Sequence, residues 1–269
     1  YKFIKKAFIK YKIDIVYHAA AYKHVPLLEE NIIYAIKNNI FNTLNLINIC
    51  LQNKVQNFTF ISTDKAVRST NIMGASKRFS EIIIQSFYEK FSKSQNISFT
   101  IVRFGNVFAS RGSAVPLFID QIENGGPVTI TDKLITRYFM STIEAVGLVL
   151  ESTHISKGGE VFVLNMGEPI KIYYLIKKLI KLSGYTEKTK DKPLGDIEVV
   201  SIGLRPGEKL YEELLIGNNP ISTSNPNIFK ANEKFIKYDK LIQEIKKLKI
   251  SYNQNNIKNC VNILKKNCF

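Results

Sequence analysis

The sequence predicts an α/β fold, a parallel sheet covered by helices. Three short apolar runs, Ile13–Tyr17, Phe58–Ile61 and Phe99–Val102, do not alternate with polar residues. Strands buried on both faces read this way. Long segments of helical period separate the runs, giving a β-α-β-α-β order. The residues able to do chemistry stand just after the runs, at His18–His24, Ser62–Lys65 and Arg103–Asn106. In open α/β sheets, ligands bind outside the carboxyl ends of the strands.

Taken in order, Tyr1–Lys12 reads as a helix leading into the first strand, which ends in the small residues Ala19, Ala20 and Ala21. Asn31–Leu51 has helical period, and so does Ile72–Phe91 with apolar Ile82, Ile83, Ile84 and Phe87. Beyond residue 107, Gly125-Gly126-Pro127 marks a turn and Val161–Asn165 a further buried strand. Ile172–Leu182 is an amphipathic helix stopped by Ser183-Gly184, and Lys209–Leu215 is expected to be helical. Asp191–Pro226 is rich in Pro, Gly and Asn; Tyr238–Leu248 and Asn256–Lys265 read as amphipathic helices with packing faces. The expected division is a sheet domain of residues 1–110, joined again by 140–168, and a smaller α+β domain of 111–139 and 169–269.

With 45% hydrophobic and 23% charged residues, the 269-residue chain can bury a full core and is not of disordered composition. No apolar run reaches the roughly 18 residues of a membrane span, and no signal peptide is visible. The first residue is Tyr1, which points to a processed, trimmed or partial chain. The net charge of +15 comes from scattered lysines such as Lys177-Lys178, Lys246-Lys247 and Lys265-Lys266, expected on solvated helix faces. No aromatic-basic motif supports nucleic-acid binding. Cys50, Cys260 and Cys268 form no CxxC, so neither a disulfide framework nor a zinc site is expected, and a reducing compartment fits. His18, His24 and His154 lack metal-ligand spacing, and no metal is expected.

Residues 62–77, STDKAVRSTNIMGASK, carry the most chemistry. Asp64 and Lys65 set an acid beside an amine at a strand end, placed for proton transfer, and Lys77 follows Met73 by four residues. No glycine-rich GxGxxG or GxxGxxG turn occurs anywhere, although such a sheet binds dinucleotide through one after its first strand. Two βα units, on the order of 60 residues, are therefore expected to be missing from the front.

Eight motifs in order carry a resemblance: HAAAYKHVPLLE (18–29), STDKAV (62–67), MGASKR (73–78), VRFGNV (102–107), SRGSAVPLF (110–118), TRYFM (136–140), GGEVFVLNMGEPIKI (158–172) and GLRPGEKLYEELL (203–215). The chain resembles the nucleotide-sugar 4,6-dehydratases of the extended short-chain dehydrogenase class, including UDP-N-acetylglucosamine 4,6-dehydratases and CapD-type polysaccharide biosynthesis proteins. The resemblance implies a Rossmann-type NAD-binding sheet, here without its first βα units, and a C-terminal substrate domain. It implies bound NAD, a UDP-hexose substrate (UDP-N-acetylglucosamine foremost), a homo-oligomer, and a place in the cytoplasm or at the cytoplasmic face of a membrane through a preceding anchor. The implied reaction oxidises carbon 4, removes water across carbons 5 and 6, and returns the hydride to carbon 6.

Onto that reaction, Lys65 is the expected base for the carbon-5 proton, which requires a lowered pKa; the positive Lys77, the oxidised nicotinamide and partial burial would each lower it. Asp64 is the acid for the leaving hydroxyl, and Thr63 hydrogen-bonds the 4-hydroxyl or ketone. Lys77 is implied to hold the nicotinamide ribose. Met73 stands where the wider class has tyrosine, as in the membrane-anchored branch, and leaves Lys65, Asp64 through Thr63, or water to deprotonate the 4-hydroxyl. Ala19, Ala20, Ala21, Asn39, Ser62 and Phe104 match cofactor-contact positions, while Tyr22, Lys23 and His24 face cofactor or sugar. The implied substrate set is Lys23, Asn106, Arg111, Arg137, Arg205 and Glu208, in which arginine forks suit a diphosphate and the Lys209–Leu215 helix adds its N-terminus. The competing readings are a nucleotide-sugar epimerase on the same fold and a truncated chain without NAD affinity.

Overall fold

The computed structural model describes residues 2–110, 112–214 and 220–268. The chain begins α1 (Lys2–Tyr11), β1 (Ile15–His18), α2 (Val25–Glu30) and α3 (Ile32–Ala35), which runs through a π-helical turn, Ile36–Phe41, into α4 (Asn42–Gln52). There follow β2 (Asn57–Ile61), a 3-10 turn at Asp64–Ala66, α5 (Ile72–Gln95), β3 (Ser98–Arg103), β4 (Asn106–Val107), α6 (Ala114–Glu123) and β5 (Val128–Ile130). Next come β6 (Thr136–Arg137), β7 (Phe139–Met140), α7 (Thr142–Ile155), β8 (Val161–Leu164), β9 (Ile170–Lys171) and α8 (Ile172–Leu182). The last elements are β10 (Glu187–Lys188), β11 (Ile197–Ser201), β12 (Ile221–Ser222), β13 (Ile228–Ala231), α9 (Tyr238–Asn253) and α10 (Ile257–Cys268).

Chain contacts divide these into two compact units. The first holds the residues up to Phe104, Gly147–Asn165 and those from Glu213 on; the second holds Gly105–Val146 and Met166–Glu212. The first contains a six-stranded sheet in the order β1-β2-β3-β8-β13-β12. Its first four strands are parallel and the last two antiparallel. Phe58, Phe60, Phe99, Ile101, Val161 and Val163 are buried, as expected of strands covered on both faces. α5 is buried along its first sixteen positions, Ile72–Phe87, and α9 and α10 pack on it. Residues 213–214 and 220–268 fall in the range that the sequence pattern places in the second unit. They join the first because β13 pairs with β8 and because Leu241, Leu248, Cys260, Ile263 and Leu264 share its core.

The second unit has its own core, in which Phe118 and Ile122 of α6 and Ile172, Ile176 and Ile180 of α8 meet β5 and β11. Its sheet runs β10-β11-β5, all parallel. The i, i+4, i+8 spacing of the three α8 isoleucines is the apolar stripe that makes this helix amphipathic.

Candidate active site

The end of β2 is held against the end of β3. Ile61 pairs with Val102, and beyond that pair Ser62 N–H donates to Val102 O (2.8 Å) and Asp64 N–H to Phe104 O (3.2 Å). The chain then turns at Thr63. Its Oγ1 accepts from Lys65 N–H (3.4 Å) and donates to Asp64 Oδ1 (2.8 Å). Lys65 Nζ stands 2.9 Å from the same Oδ1, forming an ion pair whose acid is buried and whose amine side chain is 20% exposed. Asp64 Oδ2 is buried with no hydrogen-bond partner among the described residues. Buried carboxylate oxygens are nearly always satisfied, so this unpaired one marks Asp64 as the unusual acid of the turn.

The first turn of α5 closes the site from one side. Asn71 caps the helix, accepting Gly74 N–H at 2.8 Å. A Cβ on Gly74 would stand 2.1 Å from Lys65 O, so only glycine lets the helix lie this close to the Asp64–Ala66 turn. Met73 is buried in the core. One turn on, Lys77 Nζ donates to Ile61 O at 2.5 Å and sits 3.8 Å from the centre of the Phe60 ring. Burial pulls the Lys77 pKa down to about 7, against the opposing pull of the Glu81 charge.

At the end of β1, Ala19 and Ala20 are exposed and Ala21 is half-buried. Tyr22, Lys23 and His24 are exposed side chains. The backbone of Tyr22 is fixed by Asn39 in the π-helical turn: Oδ1 accepts from Tyr22 N–H (2.9 Å), and Nδ2 donates to Tyr22 O (3.0 Å) and Ser76 Oγ (2.9 Å). The Asn39 amide is thus spent on holding the loop. Ser62 Oγ is likewise spent on Glu81 Oε1, at 2.6 Å. Phe104 is half-buried and offers its carbonyl to Asp64.

Four residues central to this geometry have no role assigned by the motif reading: His18, Gly74 and Arg103, which lie inside the quoted motifs, and Glu81, which lies outside them. His18 Nε2 is 2.8 Å from Thr43 Oγ1, which itself donates to Asn39 O, so the imidazole carries its proton on Nε2. Burial, then the Lys77 charge, lowers the His18 pKa to about 4. Glu81 had a readable signal, an acid four residues after Lys77 within the apolar run Phe79–Ile84.

In the second unit, Arg137 and Glu208 hold each other: Nη2 to Oε1 is 3.1 Å. Arg137 also donates to Thr136 O (2.8 Å) and Leu210 O (3.3 Å) and lies 3.9 Å from Glu212. Arg205 is exposed, its N–H donating to Glu208 Oε2 at 3.2 Å. Asn106 is half-buried, its N–H bonded to Tyr138 O. The expected Lys209–Leu215 helix does not form over Lys209–Leu214. The Leu210 carbonyl is instead taken by Thr136 N–H and Arg137, so no helix N-terminus is available to an anion there. Arg111 and Leu215 lie outside the described residues. Among the described residues, no group of three or more His, Cys, Asp or Glu is placed to hold a metal, and no helix is long and apolar enough to cross a membrane.

Residues 1–233 match the model of a family described as polysaccharide biosynthesis protein. The chain belongs to that family. It is 54% identical over 209 residues to the capsular polysaccharide biosynthesis protein CapD of Staphylococcus aureus, covering 78% of this chain and 33% of that protein. An uncharacterized membrane protein of Methanocaldococcus jannaschii is 43% identical over 92% of this chain and 71% of its own length. The chain spans about a third of the length of CapD and of the probable polysaccharide biosynthesis protein EpsC of Bacillus subtilis. Among solved structures, Pen from Bacillus thuringiensis matches with a TM-score of 0.74 at 37% identity, over 84% of this chain and 68% of that one. A UDP-glucose 4-epimerase of Rickettsia canadensis is 37% identical over 76% of this chain and 56% of its own. The dTDP-glucose 4,6-dehydratase DesIV of Streptomyces venezuelae, solved with NAD, shares the fold at a TM-score of 0.66 and 18% identity, over 78% of this chain and 67% of that one. The fold is therefore the Rossmann-type α/β sheet that the family resemblance implies, and the parallel sheet covered by helices that the strand pattern predicts.

Proposed function

We propose that this chain carries the dehydration centre of a nucleotide-sugar 4,6-dehydratase serving polysaccharide biosynthesis, with UDP-N-acetylglucosamine as substrate. The observation that carries the reading is the Asp64–Lys65 ion pair, its acid buried with Oδ2 unsatisfied. Lys65 ammonium and Asp64 carboxylate are one proton transfer away from a neutral amine and a carboxylic acid, the form dehydration needs. Closing the site around a sugar lowers the local dielectric and favours that neutral form. The Lys65 amine then takes the carbon-5 proton, made acidic by the carbon-4 ketone, while Asp64 gives its proton to the carbon-6 hydroxyl, which leaves as water. The pair ends as ammonium and carboxylate. Thr63 Oγ1, already donating to Asp64, orients the acid.

The residues present fit the nicotinamide end of NAD: exposed Ala19 and Ala20 leave the β1 end clear, and Lys77 offers a buried amine with one of its three donors used on Ile61 O. Ala19, Ala20, Ala21, Lys77 and Phe104 would hold it, with Asn39 and Ser62 setting their frame. Bound NAD would supply the hydride acceptor and donor at carbons 4 and 6. In the second unit, exposed Arg205 is the cation for a diphosphate, and the Arg137–Glu208 pair shapes the backbone around it. Lys23, Asn106 and Arg111 complete the proposed substrate set.

Epimerase names among the relatives favour a second reading, in which only carbon 4 is oxidised and reduced. Asp64→Asn in the complete enzyme separates the two. Dehydration should fall by about 100- to 10,000-fold, the usual range for losing a general acid, while NADH still forms. Production of only a 4-epimer, by wild type and variant alike, would overturn the dehydratase reading.

A further inference from the structure

Beneath the Thr63–Lys65 turn lies a closed group of four buried charges that the proposed chemistry does not use. Arg103 of β3 forks onto Glu81 of α5, Nε to Oε1 at 2.7 Å and Nη2 to Oε2 at 2.6 Å. Its other edge forks onto Glu233, Nη1 to Oε1 at 2.5 Å and Nη2 to Oε2 at 2.8 Å. Arg78 bridges the two acids, 3.0 Å from Glu81 and 3.1 Å from Glu233. Two positive and two negative charges balance, which is the condition for burying them. Burial pushes the Glu81 carboxyl up, but the Arg103 charge and hydrogen bonds overcome this and hold it at about 2.

The group has two outlets. One is Ser62, whose Oγ donates to Glu81 Oε1. Because Ile61 pairs with Val102, Ser62 just past the end of β2 follows alongside Arg103, the last residue of β3. One carboxylate thus ties both strand ends together at the point where the Asp64–Lys65 turn leaves the sheet. The other outlet is the segment just after β13. Arg78 donates to Lys234 O (3.1 Å), Ser86 Oγ donates to Ile236 O, and Lys237 pairs with Glu89. This segment leads into α9, where Tyr238 meets Phe87 and Phe91 edge-on. Ser62, Glu81, Arg103 and Glu233 therefore form a continuous path of hydrogen bonds between side chains with low exposure.

We propose that Glu81 is a positioning residue for the Thr63–Asp64–Lys65 turn, and that through Arg103 and Arg78 it makes the seating of that turn depend on the docking of residues 232–237. Glu81 touches no reacting group; it acts through Ser62. Loosening of the C-terminal segment would then reach the candidate acid and base directly, without unfolding the sheet. The proposal rests on reading Thr63–Lys65 as the reactive turn only for its functional meaning.

Amide hydrogen exchange of the 269-residue chain tests it. In Glu233→Gln, exchange should rise about tenfold or more, the scale of one lost buried hydrogen bond, at 232–237 and also at Asp64, Ala66 and Val67. The Phe58 and Phe60 amides of β2 should keep their wild-type rates. Ser62→Ala leaves all four charges in place, and should raise exchange at Asp64, Ala66 and Val67 alone. Exchange in Glu233→Gln confined to 232–268, or raised equally in β2, would overturn the proposal, as would an unchanged turn in Ser62→Ala. If the exchange pattern holds while the complete enzyme makes no 4-keto-6-deoxy sugar, the positioning stands and the dehydratase reading fails.

Discussion

Replacing Lys77 by methionine should stabilise the chain at neutral pH and destabilise it in strong base. Moving the Lys77 pKa from 10.5 to about 7 corresponds to a cost of about 5 kcal/mol for holding the charged amine in the folded state. The unfolded chain keeps this proton up to about pH 10.5, while the folded chain gives it up near pH 7. Between those values the unfolded state binds more protons, so wild-type stability rises with pH; the penalty is complete below pH 7 and gone above pH 10.5. Methionine removes the penalty but leaves Ile61 O without its donor, a loss of about 1–3 kcal/mol. Lys77→Met should therefore be more stable by about 2–4 kcal/mol at pH 7 and less stable by about 1–3 kcal/mol above pH 10.5, the two curves crossing between. Urea unfolding of both proteins across this range reads the difference, in which all other titrating groups cancel. Parallel curves, or a variant less stable at every pH, would refute the burial argument for Lys77.

Two further outcomes follow from the same geometry. Gly74→Ala forces its Cβ against Lys65 O; overpacking of this kind costs about 1–3 kcal/mol, offset by about 1 kcal/mol of helix propensity. A lowered Tm is expected, and an unchanged or raised one would refute the close approach of α5 to the turn. His18, neutral in the fold with its pKa lowered from 6.5 to about 4, carries no penalty above pH 6.5, where both states are neutral, and costs about 3 kcal/mol of stability as pH falls from 6.5 toward 4. His18→Phe should flatten that acid limb in thermal unfolding followed by circular dichroism, and an equally steep limb would contradict it.

The strands of the parallel sheet were legible because burial on both faces leaves uninterrupted apolar runs. α8 was legible to its end residues because Ser183-Gly184 stops it. What the sequence hid is long-range pairing. β13, IFKA, has no apolar run to announce it, and its partner β8 lies more than sixty positions earlier. So the described residues from 213 on lie in the first unit, where the sequence pattern puts them in the second. Lys209–Leu214 has helical composition, but its backbone is used by Thr136 and Arg137, a tertiary demand that local propensity cannot show. In the site, the Asp64–Lys65 contact was readable because the residues are adjacent. The Glu81–Arg103–Glu233 contacts join positions 22 and 130 apart, and one sequence alone does not pair them. Asn39 and Ser62 match cofactor-contact positions by resemblance, but their side chains are turned inward, fixing Tyr22 and meeting Glu81.

The dehydration chemistry assigned to Asp64 and Lys65 is tested most directly by the mass of the product. The complete enzyme would be incubated with UDP-N-acetylglucosamine in deuterium oxide. Removal of the carbon-5 proton by Lys65, loss of water, and reprotonation from solvent predict a product lighter by one water and carrying one deuterium on carbon 5. A product of unchanged mass, epimerised at carbon 4 and free of carbon-bound deuterium, would contradict the account.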